Sequence, residues 1–197
     1  GGSGTLTVHR DTPLTISMAE GIDYTTDKIV IDDGVSANIT LAGVNISATE
    51  HNTTPFSIAD NSTGDVTITL AAGTRNFLEA GQYAAAIQKN NLANAGSLTI
   101  TGSGSLITSG GAGGTSIGGS TATSIGTVVV SGGEIVVIWG ITASDFTMSG
   151  GSINGSIRTS DFTMSGGKID GNVLGVDKSF TITSGEIKSS TGNTVTT

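Results

Sequence analysis

Along most of this chain apolar residues alternate with Thr, Ser and other polar residues in short runs, and Gly, Asn or Asp closes each run. Alternation with a period of two predicts half-buried strands, and the closing residues predict tight turns. The pattern is clearest in three near-copies, DFTMSGGSI, DFTMSGGKI and SFTITSGEI, which begin at Asp145, Asp161 and Ser179. Phe146, Phe162 and Phe180 open the copies, Ile153, Ile169 and Ile187 close them, and the offsets are 16 and then 18 residues. A unit that short has no core of its own and buries its apolar face only by stacking on its neighbours. The pattern predicts an all-β solenoid.

Three inward columns extend that register. The first is Ile31, Ile58, Ile87, Ile117, Ile138, Ile157 and Val173; the second is Ile39, Val66, Leu98, Val128, Phe146, Phe162 and Phe180. The third is Ile46, Phe77, Leu106, Ile135, Ile153, Ile169 and Ile187. They predict about seven coils of three short strands, with successive coil lengths of 27, 29, 30, 21, 19 and 16 residues. Ile141 is an alternative to Ile138, and that slip would move Trp139 to another face. Over residues 76–90 Ala, Leu and Gln favour a helix, but Gly81 interrupts it and the columns need Phe77 and Ile87 in strands, so strand is preferred. Residues 1–27 read as a GGSG linker followed by a capping segment, TLTV and PLTISM, in which Pro13 marks an edge that plugs the end of the stack. Residues 28–197 read as the solenoid itself.

From residue 97 the run SLTITGSGSLITSGGAGGTSIGG, followed by GTVVVSGGEI and the FTMSGG copies, resembles the Gly-rich repeats of bacterial cell-surface proteins. The resemblance covers roughly residues 28–190. It implies a right-handed parallel β-helix and an adhesin-like or carbohydrate-binding role outside the cell. Its GAGIGG-like turn survives as Gly113 to Gly119 and is missing from the later coils.

Composition narrows the function classes. A net charge of −8 in 197 residues argues against nucleic acid and anionic lipid as partners. With no Cys there is neither a disulfide nor a thiolate metal site. No run approaches the length of a membrane span, and no signal peptide is visible. A glycan or polysaccharide partner is expected, bound by a monomer within a larger surface protein.

Read column by column, the outward positions bring Trp139 beside Arg158, with Gln88 and Lys89 beyond a hollow at Gly118 and Gly119. An indole plane next to polar donors suits a sugar ring, whose C–H face stacks while its hydroxyls hydrogen-bond. A surface Trp stacked under Arg158 is the alternative. Asp32, Asp33 and Asp60, with Asn61 close by, form a carboxylate cluster that either holds Ca²⁺ or splays into water. Asp145 and Asp161 repeat that repulsion within reach of Arg158 and Lys168. Two hydroxyl files, Thr40, Thr67, Thr99, Val129, Thr147, Thr163, Thr181 and Ala42, Thr69, Thr101, Ser131, Ser149, Ser165, Thr183, resemble the Thr-x-Thr surface of ice-binding solenoids. Thr also suits any exposed strand.

No catalytic residue is expected. His9 and His51 read as surface histidines, and a polysaccharide lyase would need an acid and a base converging on one groove. The sequons at Asn38, Asn45, Asn52 and Asn61 matter only in a eukaryotic source. The expectation is a non-catalytic binding module; a structural stalk, a lyase-like enzyme and an ice-binding protein are the alternatives.

Overall fold

The computed structural model describes residues 4–60, 62–90, 96–189 and 194–196. The chain is a parallel β-helix in which strands wind around three faces, and the helix among the described residues is the short 3₁₀ turn Ser120–Ala122. The first face stacks Thr5–Val8, Lys28–Ile31, Phe56–Ile58, Ile87–Gln88, Ile117–Gly118, Ile141–Thr142, Ile157–Arg158 and Val173–Leu174. The second stacks Leu14–Ile16, Asn38–Leu41, Val66–Leu70, Leu98–Gly102, Thr127–Val130 and Asp145–Met148, then the first halves of Asp161–Asp170 and Ser179–Lys188. Those two long strands turn the corner and complete the third face after Asn45–Ala48, Arg75–Ala80, Ser105–Ser109, Glu134–Val137 and Ser152–Asn154.

The stack holds eight coils, one more than the alternation predicts, because Thr5–Val8 and Leu14–Ile16 pair in parallel with the coil after them. The N-terminal segment forms this first coil, with Pro13 just before an edge strand where its missing N–H is harmless. At the other end Thr194–Thr196 pairs antiparallel to Ser179–Lys188 and covers the third-face edge.

The columns sit inside as expected in the later coils. Leu98, Val128, Phe146, Phe162 and Phe180 are in register, and so are Leu106, Ile135, Ile153, Ile169 and Ile187. The Phe146 and Phe162 rings stack at 5.8 Å and 8°, and Phe162 and Phe180 at 5.0 Å and 17°. Such a file forms because parallel coils repeat at about 4.8 Å, close to ring-stacking distance. In each FTMSGG copy the second Gly (Gly151, Gly167) has φ of +79° or +90°, the left-handed turn that carries the chain from the second face to the third.

Four placements differ from the alternation reading. Ile141, not Ile138, pairs with Ile117 and Ile157, so Ile141, Ile157 and Val173 follow at even 16-residue spacing. Ile87 lies beside Phe56 and Ile39 beside Ile68, each two residues from the expected partner and still inward. The fourth is a one-residue slip: Phe77 faces outward, and Asn76 and Leu78 face the core. Leu78, not Phe77, pairs with Ile46. Residues 76–90 contain strands at Arg75–Ala80 and Ile87–Gln88 and no helix.

Asn76 is fully buried, and its side chain makes that burial possible. Oδ1 accepts from the Gly43 and Val44 amides at 3.0 and 2.9 Å, and Nδ2 donates to the Ser105 carbonyl at 3.1 Å. It closes the turn of the preceding coil and ties it to the following one.

Candidate functional site

The sequence-derived ligand set does not come together. Gln88 lies in one first-face file with Ser57 and Gly118, and Arg158 in the same file between Thr142 and Leu174. Three coil steps, about 14 Å of rise, separate the two. Gln88 Oε1 is engaged by Thr54 Oγ1 at 3.0 Å and by the Ala85 amide at 3.1 Å. Lys89 faces inward and is only 1% exposed; its Nζ donates to the Gly96 carbonyl at 2.7 Å. Burial holds its pKa below the usual lysine value, and the Asp65 charge opposes that shift. Lys89 is thus an internal brace across a corner and offers nothing to a ligand. Arg158 and Trp139 remain exposed.

The three aspartates also part company. Asp32 pairs with His9 Nδ1, which gives that surface histidine a carboxylate neighbour the sequence did not suggest. Asp60 accepts from the backbone and side-chain amides of Asn90 at 2.9 and 3.1 Å. Asp33 points into solvent, and Asn61 and most of the turn at 90–96 lie outside the described residues. No group of three or more His, Asp or Glu side chains among the described residues is placed to share a metal ion. Asp161 is screened by Lys178 at 3.4 Å, and Lys168 pairs with Glu186 at 3.7 Å instead.

On the second face Thr67, Thr99, Val129, Thr147, Thr163 and Thr181 form one file, and Thr15, Thr40, Thr69 and Thr101 a second. Thr40 therefore belongs to the second file, with Asn38 heading the first.

The side wall with relief is the third face. Its strands put Arg75, Ser105, Glu134, Ser152, Lys168 and Glu186 in one outward file. The next outward file is Phe77, Ile107, Val136, Asn154 and Asp170. A hollow of about 400 Å³ is lined by Arg75, Ser105, Ile107, Glu134 and Val136. A second, of about 170 Å³, continues from Glu134 and Val136 to Ser152, Asn154, Lys168 and Asp170. Together they make a groove along the solenoid axis over five coils, about 19 Å long. Its floor is apolar where Ile107 and Val136 lie, and charges of both signs flank it.

Ile138 continues the outward alternation of Glu134 and Val136 and is 57% exposed, as is Trp139 in the turn that follows. The Trp139 amide is fixed by Ser116 Oγ at 3.0 Å. Tyr83 lies two coils earlier on the same corner, 43% exposed, with φ of +64°, a region bulky residues rarely occupy. His51 meets its ring edge-on at 5.5 Å. Gly113 of the next coil leaves room for the ring, because a Cβ there would lie 2.7 Å from it. The one surviving turn of the repeat motif thus accommodates an aromatic side chain.

Sequence reasoning missed Arg75, Phe77, Ile107, Glu134 and Ile138. The alternation RNFLEA has two phases, and the one that keeps Phe inside hides the groove. A buried Asn flanked by turn amides is the signal that selects the other phase. No family model matches this chain, and no curated protein or solved structure matches it.

Proposed function

We propose that the chain is a non-catalytic, extracellular binding module whose third face and adjoining corner hold an extended glycan, with the polymer running along the solenoid axis. The observation that carries this reading is the groove from Arg75 to Lys168, apolar at Ile107 and Val136, with exposed Ile138 next in the outward alternation and exposed Trp139 in the turn after it. Sugars present C–H faces and hydroxyls together, and an apolar strip between hydrogen-bonding side chains meets both needs. Trp139 and Tyr83, about 10 Å apart along the axis in the corner turns that follow the third-face strands, supply exposed stacking planes. A backbone stacked in parallel sheets keeps these groups preorganised, which lowers the entropic cost of binding.

Trp139 is the only Trp, so its fluorescence reports directly on this corner. Titration with soluble oligosaccharides of plant and microbial wall polymers is expected to shift its emission. Ile107→Asp is expected to weaken binding about tenfold or more, as is Trp139→Ala followed by calorimetry. Retention of full affinity by both variants would remove the third face from consideration.

A further inference from the structure

We infer that the glycan held on the third face is zwitterionic, with a carboxylate and a free ammonium inside one disaccharide, an assignment that rests on the groove's binding a glycan at all. The outward file along the groove runs Arg75, Ser105, Glu134, Ser152, Lys168, Glu186. Charge alternates in sign along it, and a serine separates Arg75 from Glu134 and Glu134 from Lys168. Lys168 has an internal partner in Glu186 at 3.7 Å. Arg75 and Glu134 differ: both are exposed, and neither side chain makes an ion pair or hydrogen bond among the described residues. Two coil steps lie between them, about 10 Å, close to a Debye length at physiological salt, so the two charges do little to neutralise each other. They line the same hollow of about 400 Å³ with Ser105, Ile107 and Val136.

Those two charges select among sugars. A neutral glycan covering the hollow strips water from both and returns only hydroxyl contacts. A polymer of uronic acids satisfies the Arg75 guanidinium, whose fork suits a carboxylate, but sets a like charge against Glu134. A polymer of free amino sugars has the opposite fault. One chain bearing both groups meets each charge with its opposite. The ligand's groups lie between the two side chains, so their separation is at most about 10 Å, which one disaccharide spans. A C–H face of the sugar then rests on Ile107 and Val136, and a hydroxyl reaches Ser105. Lys168, two coils beyond Glu134, is the next cation on the same line. The chain's net charge of −8 further disfavours a uniformly anionic polymer.

Calorimetry with four soluble probes tests the ligand's charge: hyaluronan freed of part of its N-acetyl groups, which then bears carboxylates and ammonium groups in one chain, intact hyaluronan, chitosan oligomers and cello-oligosaccharides. The first is expected to bind about tenfold more tightly than the other three, and to lose that advantage as salt rises or once its amines are acetylated again. Glu134→Arg should move the preference to intact hyaluronan and Arg75→Glu to chitosan, gains of binding that a misfolded chain does not produce. Absence of binding by the first probe would overturn the inference, as would equal binding of all four or reversals that leave the preference unmoved. Cello-oligosaccharide binding that Ile107→Asp abolishes would in that case leave the glycan groove itself standing. A dimer of the free chain that either charge reversal dissolves would also overturn the inference, because a second copy turned end for end sets its Arg75 on this Glu134.

Discussion

Replacing Phe162 and Phe180 by Ala tests the stacked file, because the two rings have the same chemistry and different burial. Phe162 is fully enclosed between two rings, and Phe180 has one ring neighbour and is 52% exposed. Losing a fully buried Phe costs about 3–5 kcal/mol, including the cavity left behind. For Phe180 roughly half of the apolar burial term applies, about 1–2 kcal/mol, plus about 0.5–1 kcal/mol for one stacked pair. The expected difference is about 2 kcal/mol, or roughly thirtyfold in the folding equilibrium. Urea unfolding followed by far-ultraviolet circular dichroism measures both values. The slope against urea needs checking in each variant, since a stacked array that frays from one end loses slope as well as midpoint. Equal losses for Phe162→Ala and Phe180→Ala would refute the reasoning that enclosure on both sides sets the contribution.

Asn76→Ala strands the Val44 amide inside the molecule and removes two further hydrogen bonds; it should cost about 2–4 kcal/mol and speed amide exchange at Val44, read by hydrogen exchange. Lys89 has a folded-state pKa below its unfolded value, so the unfolded chain binds more protons between the two. Stability should therefore rise as pH climbs from the folded pKa towards the unfolded one, and Lys89→Met should flatten that rise in denaturation series at several pH values. Gly167→Ala places a Cβ 2.7 Å from the Met148 methyl at a φ of +90° and should lower the midpoint of thermal unfolding, whereas Ser165→Ala in the same turn should leave it nearly unchanged.

Much of the fold was legible because a stacked coil leaves a simple trace. Residues with the same role recur at coil spacing, and Phe146, Phe162 and Phe180 announce the stack before any geometry is known. Errors arose where two phases of alternation were equally apolar. Ile138 and Ile141 both look like column residues, and only the pairing of Ile141 with Ile117 and Ile157 separates them. Phe77 looked like core because it is aromatic, but Asn76 can satisfy its whole side chain there and Phe77 cannot serve the Gly43 and Val44 amides.

The candidate site was less legible for a related reason. An outward position has no composition rule, so Arg75, Ile107 and Glu134 become neighbours only through the register of three successive coils, about thirty residues apart in the chain. Burial worked the other way for Lys89, whose charge suggested a surface contact and whose Nζ in fact braces Gly96. The residues themselves determined that this chain stacks into β coils, because alternation and a short repeat permit little else. Tertiary structure decided which side carries relief, because a one-residue shift in phase costs almost nothing in local propensity and exchanges every inward side chain for an outward one.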